Sequence, residues 1–139
     1  MLFFSACAFP RIVVLDDPLT PEEHLNLGVA YEKKGELDSA IKEYQLAAKN
    51  LSIAYLYLGN AHFHRNNLSK AEACYKQAID KEPQNADAYN NLVWLYYMKR
   101  ENLDEAESFA LKAIELDSCK KHIYGDTLQK VRKLKESIR

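Results

Sequence analysis

The chain has 139 residues, of which 47% are hydrophobic and 28% are charged, and its formal net charge is −1. This length favours a single folding unit, and the composition is too apolar for a disordered chain. No apolar run approaches the roughly 18 residues that a membrane-spanning helix needs. The three cysteines, Cys7, Cys74 and Cys119, lack the spacing of a disulfide framework.

Residues 1–19 are predicted to be a truncated secretion signal followed by a tether. The first seven residues run from an apolar stretch through Ser5 and Ala6 to Cys7. This order resembles the lipobox of bacterial lipoproteins, although a basic leader and a full apolar region of about 7–15 residues are missing. The resemblance implies a lipid on Cys7 and, because Ala8 follows, an outer-membrane anchor on the periplasmic side of the bacterial cell envelope. The alternative is a cytoplasmic protein with a chance cysteine.

Three later stretches of the chain share one spacing of small and aromatic residues. The first stretch contains Gly28, Tyr31, Ala40, Tyr44 and Ala47. The second contains Gly59, His62, Ala71, Tyr75 and Ala78, and it closes at Pro83. The third contains Tyr89, Leu92, Tyr96, Ala106, Ala110 and Ala113, and its second half lags by one residue because residues 99–102 form a longer turn. Each stretch therefore predicts two amphipathic helices joined by a turn.

The turns between the paired helices carry residues that accept a left-handed helix end. Gly35 occupies this place in the first stretch, and Asn66-Asn67 occupies it in the second. We expect Asp38, Ser69 and Asp104 to be the N-caps of the second helices, since their side chains can accept hydrogen bonds from backbone N–H groups.

The pattern Leu-Gly-x2-Tyr followed by Ala-x3-Tyr-x2-Ala resembles the tetratricopeptide repeat, whose period is about 34 residues. The resemblance implies an all-α, right-handed α-solenoid of three helical hairpins, residues 20–51, 52–85 and 86–117, and a C-terminal capping helix, residues 118–139. The first and second glycines are only 31 residues apart, so we expect a tight loop at residues 50–52. Val93 and Ala110 replace the usual glycine and aromatic residue, so we expect the third hairpin to pack differently.

The resemblance also implies a binding groove, because the first helices of such repeats line a concave surface. The predicted groove residues are Leu25, Val29, Leu56, Asn60, Phe63, His64, Asn90, Trp94, Tyr97 and Met98. Several of these are apolar or aromatic, and an apolar patch at such positions is typical of a binding site. We expect Asn60 and Asn90 to offer paired donor and acceptor groups to a peptide backbone. The alternative is that the capping helix or the N-terminal segment covers the patch.

These observations predict a scaffold or adaptor that binds a protein or peptide, with no enzymatic activity, cofactor or metal. His62 and His64 face different sides of a helix, and residues 119–122 hold only half of a zinc spacing. Relatives that bind chaperone C-termini use a basic clamp, and its cationic positions correspond here to Leu25, Asp87 and Asn91, which argues against that function. The basic segment 120–139 suits a helix C-terminus, so we expect no nucleic-acid contact. Alternatives are a non-catalytic partner of an envelope peptidase, or its split-off domain, and a self-associating module that forms a homodimer.

Overall fold

The computed structural model describes residues 17–138, and Cys7 with the rest of the predicted signal lies outside them. Within this range the secondary structure is helical, and no β-strand occurs among the described residues. The helices are α1 (Pro21–Lys33), α2 (Leu37–Ala47), α3 (Ala54–His64), α4 (Leu68–Lys81), α5 (Ala86–Lys99), α6 (Leu103–Leu116) and α7 (Lys121–Ile138), with a 3-10 turn (Ser118–Lys120) before α7. The all-α class predicted from the sequence is confirmed.

The helices form consecutive hairpins that stack into an array. Helix α1 packs on α2, α3 on α4, and α5 on α6, and each hairpin also contacts the next through α2 with α3, α4 with α5, and α6 with α7. A single hairpin cannot bury its own apolar stripe, so stacking is what removes these faces from water. Among the described residues, no helix combines the length and the apolar character that crossing a bilayer requires.

The turns inside the hairpins have the expected left-handed residues, with φ of 78° at Gly35 and 58° at Asn66. The turn of the third hairpin, residues 100–102, has two, Arg100 and Asn102. A side chain in this region is strained, and asparagine tolerates it better than most residues. This turn has three residues, like the turns at 34–36 and 65–67, so the longer turn expected from the sequence is not found. The one-residue lag lies instead in α5, which ends six residues after Val93, whereas α3 ends five residues after Gly59.

The predicted N-caps of the second helices were wrong by two residues. The caps are Glu36, Asn67 and Asn102, and only Asn67 accepts a side-chain hydrogen bond, from the backbone N–H of Lys70. Asp38, Ser69 and Asp104 are instead the second residues of their helices, because each helix starts directly after the turn. Acidic residues there still stabilise the helix by interacting with the positive end of its dipole.

The short first interval does not produce a tight loop, which corrects the expectation for residues 50–52. The α2–α3 connection, residues 48–53, is longer than the α4–α5 connection, residues 82–85. The interval is shorter because helix α2 is shorter, with 11 residues where α4 has 14. The core face is kept in full, because the buried residues Ala40, Tyr44 and Ala47 of α2 have the same spacing as Ala71, Tyr75 and Ala78 of α4.

The glycines of the first two repeats make room for a buried tyrosine from the second helix. A Cβ atom at Gly59 would lie 2.5 Å from Cε1 of Tyr75, and Gly28 stands in the same relation to Tyr44. Both rings are almost completely buried. In the third hairpin Val93 and Ala110 are both fully buried in one core cluster. The larger side chain of the pair is therefore on the first helix of this hairpin, whereas in the other two it is on the second. The hairpin therefore packs differently, as its sequence predicted.

Helix α7 repeats the core face of a first helix without a second helix to follow it among the described residues. Its buried residues, Tyr124, Thr127, Leu128 and Val131, have the same spacing as Tyr89, Leu92, Val93 and Tyr96 of α5. Polar contacts fix both ends of α7. Lys120 and Tyr124 bind Asp87 at 2.7 and 2.8 Å, and Arg132 and Lys135 bind Glu107 at 2.7 and 2.6 Å.

A buried histidine joins the start of α1 to α2. His24 is only 5% exposed, its Nδ1 lies 2.7 Å from Glu43 Oε2, and its Nε2 lies 3.1 Å from Asp17 Oδ2. The hydrogen bond with Glu43 raises the pKa of His24, burial opposes this, and the charge of Asp17 adds to the increase. Protonated His24 can donate to both carboxylates at once, which the neutral ring cannot do.

The stability that His24 contributes should therefore depend on pH. A raised pKa in the folded state gives a stabilisation that is complete below the unfolded-state value of about 6.5 and is lost as pH rises through the folded value. We expect His24→Gln to lower the free energy of unfolding more at pH 6 than at pH 8, measured by urea denaturation. Comparing the variant with the wild type at each pH cancels the opposite contribution of His62, whose pKa burial lowers. An equal loss at both pH values would contradict a charged role for His24.

Candidate functional site

The first helices of successive hairpins lie side by side and form one continuous surface. His64 of α3 approaches Glu32 of α1, with 3.9 Å between Nε2 and Oε1. Asn91 of α5 donates a hydrogen bond of 2.9 Å to Asn60 of α3. Lys130 of α7 lies over the ring of Trp94 of α5, 5.2 Å from its centroid. Helices α1, α3, α5 and α7 therefore contribute in turn to the predicted groove.

The apolar residues predicted for the groove are mostly half-buried, and they rest on the cores of the hairpins. Leu25 and Val29 pack against the first hairpin's cluster around Tyr44, while Leu56, Phe63 and Tyr97 pack against the larger cluster around Leu92 and Tyr96. His64 is exposed, and Met98, at 55% exposure, is the most accessible of the large apolar groove residues. One edge of each side chain therefore remains in contact with solvent.

At the centre of this surface is a cleft of about 280 Å³, which we name the aromatic cleft. Its lining residues are Asn60, Phe63, His64, Tyr75, Asn91 and Trp94. The hydroxyl of Tyr75 and the amide nitrogen of Asn91 both donate to Asn60 Oδ1, each at 2.9 Å. The cleft therefore has aromatic residues, Phe63 and Trp94, beside a set of linked polar groups.

The linked polar groups leave one donor and one acceptor without a partner. Among residues 17–138, neither Asn60 Nδ2 nor Asn91 Oδ1 makes a hydrogen bond. Exchanging the oxygen and nitrogen of both amides would still leave one donor and one acceptor, so the balance does not depend on amide orientation. A peptide group has the complementary pair, a C=O and an N–H.

The amide that lies beside Asn60 in the groove is Asn91, which was not among the predicted groove residues. The sequence assigned the peptide-binding amides to Asn60 and Asn90, whereas the hydrogen bond across the hairpins joins Asn60 to Asn91. Asn90 Oδ1 is buried and has no hydrogen-bond partner in the described part of the chain. Sequence reasoning also missed Tyr75 and Lys130 as groove residues. The helical spacing that placed Tyr75 in the core gave no sign that its hydroxyl reaches the groove.

Helix α7 touches the groove without closing it. The rings of Trp94 and Tyr97 are stacked with their centroids 5.3 Å apart, and Lys130 covers part of Trp94. Lys130 also pairs with Asp126 at 2.5 Å, which holds its ammonium group on α7. Trp94 nevertheless remains half-buried. The sequence left open that the capping helix or the N-terminal segment covers the apolar patch. The capping helix, α7, reaches only the edge of this patch.

The carboxylates along the groove differ in how their charges are balanced. Asp87 binds the ammonium group of Lys120, and Asp126 binds that of Lys130. Burial acts to raise the pKa of Asp87, but the hydrogen bonds from Lys120 and Tyr124 outweigh it and hold this pKa below its usual value. Glu32 accepts a 2.6 Å hydrogen bond from the uncharged hydroxyl of Tyr44. Within residues 17–138, Glu32 has no lysine or arginine within ion-pair distance.

The surroundings of Cys74 and of the two histidines of α3 do not favour catalysis or metal binding. Burial raises the pKa of the Cys74 thiol to about 11, so this thiol is protonated at neutral pH and is a poor nucleophile. His62 is buried and His64 is exposed, which places them on different sides of α3. The described residues contain no cluster of three potential metal ligands.

Comparisons with known proteins agree with the repeat pattern. Sequence models described as "Tetratricopeptide repeat" match residues 8–52 and 85–116, and one described as "TPR repeat" matches residues 59–99. Human tetratricopeptide repeat protein 6 is 35% identical over 69 residues, which cover 48% of this chain. The chain spans only 13% of the length of that relative.

Solved structures of similar fold include domains from yeast and human proteins. The TPR2B-domain:pHsp70-complex of yeast Sti1 has a TM-score of 0.76 at 19% identity, with 81% of this chain and 96% of that chain covered. The first TPR domain of human RPAP3 has a TM-score of 0.77 at 20% identity, with coverages of 87% and 96%. The first TPR of Spaghetti (RPAP3) bound to HSP90 peptide SRMEEVD has a TM-score of 0.73 at 18% identity, with coverages of 88% and 95%. These similarities confirm the predicted α-solenoid fold.

Proposed function

Because the chain belongs to the tetratricopeptide-repeat family, we propose that it is a non-catalytic adaptor that holds a segment of a partner protein in the groove of its first helices. The observation that carries the proposal is the aromatic cleft, whose half-buried Phe63 and Trp94 lie beside an unpaired donor and acceptor. Aromatic side chains that are partly exposed on a rigid framework are typical anchor points for a binding partner. The amide pair of Asn60 and Asn91 then suits the backbone of an extended peptide.

Similarity of fold supports this role in general terms. One of the similar domains was solved with an HSP90 peptide and another in a pHsp70 complex. The resemblance to chaperone-binding repeats implies cations at the positions of Leu25, Asp87 and Asn91, which this groove lacks, so the proposal takes over peptide binding and not the chaperone peptide. The half-buried apolar stripe supports the role of an adaptor.

Site-specific photocrosslinking in cells tests the proposal directly. A photoreactive amino acid at Met98, which is exposed at the edge of the groove, should crosslink a partner. The matched control is the same amino acid at Gln77, which is exposed on the second helix α4. Equal capture at both positions would place binding outside the groove. Crosslinks to a second copy of the chain would show instead that the groove is used for dimerisation.

We further propose that a lipid on Cys7 tethers the chain to the outer membrane of a bacterial cell envelope. The support is the order of residues 1–7, together with the family match that begins at residue 8, directly after this cysteine. A fatty-acid analogue should label the wild-type gene product in cells, and Cys7→Ser should remove the label. Equal labelling of both proteins, or of neither, would contradict the anchor.

A further inference from the structure

Given the proposed peptide-binding groove, we infer that its ligand is a segment in which an aromatic side chain stands next to an arginine or lysine. The aromatic side chain occupies the aromatic cleft, and the cation pairs with Glu32. The same groove discriminates against acidic segments. This inference rests on the proposed function and adds the chemistry of the partner.

The dimensions of the cleft favour one large side chain over a small-molecule ligand. Its volume of about 280 Å³ is just below the roughly 300–1,000 Å³ of pockets that enclose a drug-sized ligand. Phe63 and Trp94 supply ring faces and edges, against which another aromatic ring gains about 0.5–1.5 kcal/mol beyond its buried area. An aromatic residue therefore uses this space better than an aliphatic one.

Glu32 is the unbalanced charge beside this cleft. Its carboxylate lies 3.9 Å from Nε2 of His64, which lines the cleft, and its hydrogen-bond donor, Tyr44, carries no positive charge. Its side chain is 26% exposed, so a ligand can reach it while solvent screens it less than it would a free surface group. Glu32 is therefore next to a residue that lines the cleft. An extended chain advances about 3.3–3.6 Å per residue, so a cation one or two positions from the anchored ring is close enough to pair with Glu32.

Two other carboxylates of the groove do not offer a competing site. Asp87 and Asp126 are already paired with Lys120 and Lys130, and Asn91 uses its amide nitrogen to bind Asn60. Residues 1–119, which supply α1, α3 and α5 of the groove, hold 12 Lys and Arg against 18 Asp and Glu, a formal charge of −6. Residues 120–139 hold seven Lys and Arg against two acids, but the cation that α7 places over Trp94, Lys130, is paired with Asp126. Like charges across an interface slow the association of a ligand and weaken its binding. An acidic segment would therefore meet repulsion and no clamp.

Selection from a random peptide library on the full chain tests the inference. We expect the enriched peptides to share an aromatic residue within two positions of Arg or Lys. Three synthetic versions of one enriched peptide, with Arg, Gln or Glu at the basic position, are then titrated while the fluorescence of Trp94, the one tryptophan of the sequence, is followed. We expect the Gln version to bind about fivefold more weakly, and the Glu version about tenfold or more, by the usual size of partly exposed charge pairs.

Variants at Glu32 provide the sharper comparison. Glu32→Gln keeps an acceptor for the Tyr44 hydroxyl and should bind the Arg and Gln peptides equally, whereas Glu32→Lys should prefer the Glu peptide. Enrichment of acidic peptides, of peptides without an aromatic residue, or of none would overturn the inference, as would an unchanged preference in Glu32→Gln. Binding to Trp94→Ala is measured by the anisotropy of a labelled peptide. If the enriched peptides bind this variant as well as the wild type, the groove is refuted as the binding site.

Discussion

Gly59→Val and Tyr75→Ala are each expected to lower the free energy of unfolding by about 3 kcal/mol, and the double variant should lose less than the sum. The valine methyl groups would overlap the Tyr75 ring, since even a Cβ atom at position 59 would lie 2.5 Å from Cε1. Tyr75 is only 2% exposed, so its removal leaves a cavity and leaves Asn60 without one donor. In the double variant the valine fills the space that the tyrosine leaves.

The third hairpin is the natural precedent for this exchange. Val93 and Ala110 occupy the places of a glycine and a tyrosine there, and both are fully buried. Urea denaturation followed by circular dichroism would give the coupling free energy, which we expect to be about 1–3 kcal/mol in favour of the double variant. Strict additivity of the two losses would show that the rings and methyl groups do not share one space.

Gly125→Ala is the matched control for Gly59→Val, because it also adds a side chain to a helical glycine. A Cβ atom at Gly125 has nothing within 4 Å, and the residue lies inside α7. Alanine has the higher helix propensity, so this variant should be neutral or more stable by up to about 1 kcal/mol. A destabilisation by Gly125→Ala comparable to that at Gly59 would indicate that the glycines are needed for a reason other than close packing.

Trp94→Ala is expected to weaken binding of the photocrosslinked partner segment by about 2 kcal/mol or more, roughly thirtyfold in Kd. Trp94 lines the aromatic cleft, stacks on Tyr97 and contacts Lys130, so its loss removes the largest apolar surface of the groove. Asn60→Ala should weaken binding less, because it removes one hydrogen-bonding group and little area. Titration by anisotropy of the labelled segment gives both values.

Leu111→Ala controls for the loss of an exposed apolar side chain elsewhere on the surface. Leu111 is 48% exposed on α6 and should leave the affinity unchanged. The helical circular dichroism of Trp94→Ala should remain close to that of the wild type, because Trp94 is only half-buried. A loss of binding that follows only the loss of folded protein would make Trp94 a core residue and would place the partner surface elsewhere.

The amino-acid sequence by itself determined the hairpins and the faces of their helices. The spacing of Gly59, Ala71 and Tyr75 predicts which residues meet inside a hairpin, because helical periodicity and a short turn are local properties. The substitutions Val93 and Ala110 could be recognised as a change of packing for the same reason. The resemblance to the tetratricopeptide repeat implied ten groove residues, and most of the apolar ones are half-buried in the structure, with Met98 exposed.

The tertiary structure decided how neighbouring hairpins sit against each other. Whether Asn60 meets Asn90 or Asn91 depends on the rotation between two hairpins, which side-chain volumes across their interface set and which no single helix encodes. The same holds for Glu32 beside His64 and for Lys130 over Trp94, which join residues more than 30 positions apart in the chain. The sequence therefore determines the hairpins and the core faces of their helices, and packing between hairpins determines which groove residues act together.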